Sequence, residues 1–157
     1  MIEIRSWFQV SSFRFHVRLK ILRCVMASFK SFEEIEAWQN ARILADRIFE
    51  LTLEGSFSRD FKLRDQINGS TGSIMDNIAE GLERDGTREF IQFLSMAKGS
   101  AGETRSQLYR AYDRHHISKE MFDDLKGKVL IITKQLSGLI TYLNRSELKG
   151  LKFLKRT

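Results

Sequence analysis

The sequence predicts an all-α fold, an antiparallel up-down-up-down four-helix bundle spanning residues 31–144. Three observations carry this reading. The chain contains no proline in 157 residues, where average usage near 5% would supply about eight. Proline breaks helix interiors and favours turns, so its absence favours long helices with short connections. Four stretches carry apolar residues at three- and four-residue steps, the spacing of one buried helix face. Only a few polar or glycine-containing residues separate these stretches, which implies antiparallel neighbours. Helices of about 20 to 25 residues would be rods of roughly 30–37 Å.

The first helix is expected to open at Ser31-Phe32-Glu33-Glu34, an S-x-x-E capping box in which hydroxyl and carboxylate satisfy orphan backbone N–H groups. Ile35, Trp38, Ala41, Ala45, Ile48, Phe49 and Thr52 form its stripe, and Gly55-Ser56 closes it. Leu63, Ile67, Thr71, Ile74, Ile78 and Leu82 mark the second helix, with Gly81 as its expected stop. The third starts near Thr87, after Asp85-Gly86, and places Phe90, Phe93, Leu94, Ala97, Ala101, Thr104, Leu108 and Ala111 on one face. Its middle, Gly99-Ser100-Ala101-Gly102, is made of small residues. Glycine in a helix costs about 1 kcal/mol relative to alanine, so another backbone is expected to approach closely there. Ser118 caps the fourth helix, whose Phe122, Leu125, Val129, Ile132, Leu136, Leu139 and Leu143 alternate three- and four-residue steps as in a coiled-coil seam.

The first and fourth helices carry further apolar residues off these stripes: Ile43, Leu44, Leu51, Leu130, Ile131, Ile140 and Tyr142. One bundle cannot bury two faces of a helix, so self-association is expected. The formal charge of +6 lies at the ends of the chain. Residues 1–25 hold five basic groups against Glu3, residues 145–157 five against Glu147, and residues 26–144 sixteen basic against eighteen acidic. The termini are thus +4 each and the body −2. Residues 1–30 read as a leader outside the folded domain. Met26-Ala27-Ser28 has the look of a natural start, the alternatives being a disordered basic arm or a targeting segment. Residues 145–157 form a basic tail. The single cysteine, Cys24, excludes an intramolecular disulfide and fits a reducing compartment, so a cytoplasmic location is expected. No run of 18 apolar residues offers a membrane span.

Residue types for chemistry are sparse, and neither enzyme activity nor a cofactor is expected. A di-iron bundle needs Glu-x-x-His on two helices, and none of the three histidines, His16, His115 and His116, follows such a glutamate. Asp113-Arg114-His115-His116 supplies one Asp-x-x-His at a helix end, which reads as a solvated loop pair rather than a metal site. One cysteine permits no zinc spacing. On the second and third helices Asn77, Glu80 and Glu103 stand out. Glu80 near a helix C-terminus needs a cation, most simply Arg84 or a basic group on the third helix such as Lys98, and Glu103 among small residues is expected to be partly buried. With Trp38 and Gly99 these are candidate structural or subunit-contact residues. Candidate nucleic-acid-binding cations are Arg59, Lys62 and Arg64 at the start of the second helix, Arg84 and Arg88 around the next turn, and Arg110 and Arg114 on the third. In a monomer they make an ordinary surface; repeated around an oligomer axis they make a large phosphate-binding contact.

One ordered series of motifs is more specific. It runs Phe32-x-x-Ile35-x-x-Trp38-Gln39-x-Ala41, Ser73-Ile74-Met75-Asp76-Asn77-Ile78-Ala79-Glu80-Gly81, Glu89-Phe90-Ile91-Gln92-Phe93-Leu94, Ala97-x-Gly99-Ser100 and Glu103-x-x-x-Gln107-Leu108. Over residues 31–143 it resembles the bacterial four-helix-bundle family named for proteins encoded in intervening sequences of 23S ribosomal RNA genes. The resemblance implies a homopentamer without known enzymatic activity. It extends to the accessory variability protein of diversity-generating retroelements, a basic pentameric barrel that associates with nucleic acid and a reverse transcriptase. An RNA or DNA role is therefore an expectation of the resemblance, with a scaffold for a protein partner as the alternative. Many relatives carry a proline where this chain has Met75, so the second helix should be less kinked here. Relatives also often carry arginines where this chain has Asn68-Gly69, which weakens nucleic-acid binding through that face.

Overall fold

The protein is described as a computed structural model over residues 29–84 and 86–145. The leader's residues 1–28 and the tail's residues 146–157 lie outside the described residues. Four helices follow in order: α1 (Glu36–Thr52), α2 (Phe61–Glu83), α3 (Thr87–Asp113) and α4 (Lys119–Arg145). Short 3-10 turns at Phe32–Glu34 and Phe57–Arg59 precede α1 and α2.

Side-chain bonds between helices establish an antiparallel register. Arg110 of α3 reaches Gln66 of α2 at 2.9 Å, and farther along the hydroxyls of Thr104 and Ser70 lie 2.8 Å apart. Asn68 of α2 donates to the Thr52 hydroxyl of α1 at 3.1 Å, while Asn40 of α1 donates to Gln135 of α4 at 3.1 Å. In each pair an early residue of one helix meets a late residue of its neighbour. α2 packs on α3, α3 on α4, and α1 closes the square against α2 and α4.

The core follows the predicted stripes of α2, α3 and α4 closely. Leu63, Ile67, Ile74, Ile78, Leu94, Ala97, Ala101, Leu125, Val129, Ile132 and Leu136 are fully buried. α2 runs unbroken through Met75, and the Ser118 hydroxyl caps α4 by accepting the Met121 N–H at 3.2 Å.

Several expectations are corrected. The Ser31 capping box does not form: residues 32–34 make a 3-10 turn, Ile35 is extended, and α1 starts only at Glu36. The bend lets Ile35 and Ala37, each 3% exposed, enter the core, and the Ser31 hydroxyl instead helps hold the Glu33 carboxyl below its ordinary pKa. The α1 stripe is also rotated. Leu44, assigned to the outer face, is fully buried, whereas Phe49, assigned to the core, is exposed. Positions 37, 41, 44, 48 and 52 keep a strict three-to-four-residue step that Ala45 and Phe49 leave.

Gly81 does not stop α2, which continues to Glu83. It marks a close approach of α2 to α3 instead: a Cβ there would stand 2.6 Å from the Phe93 Cβ and 3.1 Å from the Phe90 Cδ2. Among the described residues, nothing packs against the two glycines of the small-residue segment of α3. Gly99 and Gly102 are exposed, with nothing within 4 Å of where a Cβ would be. Glu103 beside them is exposed rather than partly buried.

Candidate nucleic-acid interface at one end of the bundle

The antiparallel register places the start of α2 beside the end of α3, and with them five of the seven candidate cations. Arg59, Lys62 and Arg64 lie within one turn of the α2 N-terminus, and Arg110 and Arg114 close α3. Residues 56–66 and 110–116 hold three carboxylates, Asp60, Asp65 and Asp113, so these two segments carry a net +2, while Glu50 and Glu54 near the end of α1 and Glu120, Asp123 and Asp124 at the start of α4 add acidic groups to the same end. The other two candidates are separated from them. Arg84 and Arg88 lie at the far end of α2, which at 1.5 Å per residue is roughly 33 Å away.

Asp60 organises the cationic end. Its Oδ1 caps α2 by accepting the Leu63 N–H at 3.2 Å. Its Oδ2 accepts from Arg114 Nη1 at 2.5 Å and lies 3.1 Å from His116 Nε2. The Arg114 hydrogen bond is the main reason the Asp60 carboxyl is held down at about 2, with the His116 and Leu63 bonds adding to it against partial burial. An ionised carboxylate only accepts, so Nε2 of His116 carries the proton and Nδ1 faces the Ser56 hydroxyl at 2.8 Å.

Local backbone geometry brings His116 there. The N–H of His115 bonds Tyr112 and that of His116 bonds Ala111, each at 2.9 Å, the pair of bonds that defines a Schellman ending. Such an ending needs a left-handed residue, normally glycine; here it is His115, at φ 58°. The turn swings His116 inward, where its ring stacks on Phe57 at 5.1 Å. The expectation of a solvated loop pair thus fails for His116, whose side chain is 10% exposed, and holds for His115, which is exposed.

Ser56, His116 and Asp60 form a hydroxyl–imidazole–carboxylate chain, the arrangement that activates serine nucleophiles elsewhere. Here Arg114 occupies the same carboxylate oxygen that would stabilise an imidazolium. The groove described below includes none of the three residues. The arrangement serves as a clasp joining the α1–α2 connection to the α3–α4 connection. Among the described residues no cluster of three or more His, Cys, Asp or Glu could hold a metal ion.

The cations differ in how tightly they are held. Arg64 contacts Asp65 at 3.4 Å, donates to the Ser58 carbonyl at 3.3 Å and lies over the Phe61 ring at 5.0 Å. Arg110 is bonded to Gln66 and Arg114 to Asp60, while Arg59 and Lys62 extend from exposed positions. At the opposite end Arg84 pairs with Glu80, as expected for an anion near a helix C-terminus, with Nε at 3.1 Å, and covers the Phe93 ring at 4.9 Å. Arg88 is exposed in the first turn of α3. Asn77 donates back to the Ser73 carbonyl of its own helix at 2.7 Å.

The outer faces of α1 and α4 carry exposed apolar residues among charged ones. Ile43 and Phe49 on α1 and Leu53 just past its end, with Leu130, Ile131 and Tyr142 on α4, are between 41% and 60% exposed. An open groove of about 680 Å³ runs between α1 and α2, lined in part by Trp38, Arg42, Ile43, Phe49, Gly72 and Met75. Trp38 is half-buried there, its ring edge-on to Phe32 at 5.1 Å. No described helix is long and apolar enough to cross a membrane.

The model of a family described as 23S rRNA-intervening sequence protein matches residues 33–138. The chain belongs to this family. The match spans α1, α2 and α3 and most of α4. Among solved structures, the chain is similar to a protein of unknown function from the S23 ribosomal protein family of Bacteroides thetaiotaomicron. Identity is 24%, the TM-score is 0.62, and the likeness covers 67% of this chain and 95% of that one. That similarity concerns the four-helix fold. No curated protein matches.

Sequence reasoning missed Asp60, Gln66 and the clasp formed with Ser56 and His116. Asp60 three residues before the buried Leu63 carried an N-cap signal. Nothing local connected it to His116, 56 residues later.

Proposed function

We propose that this family member is a self-associating, non-enzymatic helical bundle that binds RNA or DNA through the cationic end of each subunit. The observation that carries the reading is the convergence of Arg59, Lys62, Arg64, Arg110 and Arg114 on one end, from segments about 50 residues apart. The net +2 of these two segments in each subunit is modest. Repeated around the axis of an oligomer, pentameric as the family resemblance implies, it becomes a field able to displace counterions from a phosphate backbone. The exposed apolar faces of α1 and α4 support the assembly, and the family and relative names, which refer to 23S rRNA and a ribosomal protein, support the ligand class. A reducing cytoplasmic location accords with one cysteine.

The test is titration of labelled RNA and DNA at several salt concentrations. Affinity should fall linearly in log salt, by about 0.7 to 0.9 log units per phosphate engaged. Replacing the exposed Arg59 and Lys62 together by alanine should flatten that slope by about 1 to 2 per subunit engaged, with helicity unchanged. Absence of binding by folded protein at low salt would overturn the reading.

A second reading, an oligomeric scaffold for a protein partner, is favoured by the α1–α2 groove and by the internal engagement of Arg64, Arg84 and Arg114. It predicts no salt-linked nucleic-acid binding.

A further inference from the structure

Phe61 begins α2, yet the residue is 63% exposed, the highest value among the exposed large hydrophobic residues of the described chain. It contributes little to the core, which starts two residues later at Leu63. Its surroundings are cationic. Lys62 follows it and Arg59 stands two residues before it, both exposed, and the Arg64 guanidinium lies 5.0 Å over the ring, while the carboxylate of the adjoining Asp60 is engaged by Arg114 and His116. The combination differs from that at the exposed Tyr109, which lies near Lys126 but whose ring packs edge-on against Phe122 at 4.8 Å as a helix-contact residue.

A flat apolar ring among cations matches one ligand chemistry well: an unpaired nucleobase with phosphates on either side. Every base presents a π-face, so stacking on an aromatic side chain tolerates any sequence, while nearby cations follow the backbone. In a duplex those faces are already covered by neighbouring bases. The Arg64 guanidinium extends the flat surface and adds cation–π attraction. We propose that Phe61 is a stacking platform for a base of single-stranded nucleic acid, with Arg59 and Lys62 taking the adjacent phosphates. The inference rests on the nucleic-acid reading above and narrows its ligand from nucleic acid in general to unpaired strands.

The experiment compares full-length wild type, Phe61→Ala, Phe61→Trp and Arg59→Ala/Lys62→Ala. Each is titrated against labelled oligo-U, oligo-dT and a mixed-sequence duplex at one low salt concentration. Helical content and oligomer mass are measured in parallel. Phe61→Ala should weaken binding to both single strands about 5- to 100-fold, leave duplex binding within about twofold, and leave mass and helicity unchanged. Phe61→Trp should restore single-strand affinity, and the double charge variant should weaken single strands and duplex alike. If wild type binds nucleic acid but Phe61→Ala binds single strands as well as wild type does, the platform is wrong and the nucleic-acid reading stands. If Phe61→Ala changes the oligomer mass, the ring belongs to a subunit contact and the proposal falls. If wild type binds none of the three ligands, the nucleic-acid reading falls and this inference with it.

Discussion

Asp60 holds more of the cationic end together than any other side chain. It caps α2, pairs with Arg114 and orients His116. Replacing Asp60 with alanine should lower stability by about 1–2 kcal/mol near neutral pH, from the lost cap and the lost charge-assisted bonds. The pH dependence has a definite sign. The folded carboxyl titrates at about 2, below the ordinary 3.8, so its contribution is complete above the ordinary value and disappears as pH falls from 3.8 toward 2. Chemical denaturation of wild type and Asp60→Ala across that range should show the stability gap closing at acid pH. Other carboxylates are common to both proteins and cancel in the difference. A gap that persists unchanged at pH 2 would mean that Asp60 acts through packing alone.

Periodicity alone identified all four helices, because each must present an apolar stripe to a shared core. The boundaries of α3, beginning at Thr87, and the Ser118 cap of α4 were equally legible. α1 was harder because both of its faces are apolar. Choosing between Leu44 and Phe49 for the inside depends on neighbours that only tertiary packing supplies. The glycines show the same limit. Two helical glycines in a row of small residues suggested close approach at Gly99, but the close approach is at Gly81, where two phenylalanines of α3 press on α2. Gly81→Ala should therefore destabilise by about 1–3 kcal/mol through overpacking, whereas Gly99→Ala should stabilise by about 0.5–1 kcal/mol through helix propensity. Urea midpoints of the two variants decide this. Destabilisation by Gly99→Ala would place a neighbouring subunit against that segment.

The candidate site was legible as a list of cations and not as a place. Arg59 and Arg110 share an end of the bundle only because α2 and α3 run antiparallel, and Arg84 is far from both for the same reason. His116 reaches Asp60 through a left-handed turn at a non-glycine residue, which no local pattern announces.

For the molecule as a whole, one chain leaves Ile43 and Phe49 on α1, Leu53 just past it, and Leu130, Ile131 and Tyr142 on α4 exposed. Association of subunits through these faces underlies the functional reading, since the net +2 of the two cationic segments in a single subunit makes a weak anion site. Sedimentation equilibrium of wild type beside Ile43→Lys/Ile131→Lys tests it most directly. Both positions are more than half exposed, so the bundle should keep its helicity. The account predicts a wild-type mass several times that of the 18.3 kDa chain, collapsing toward one chain in the double variant. A wild type that sediments as a single chain, with both apolar faces left to solvent, would contradict it.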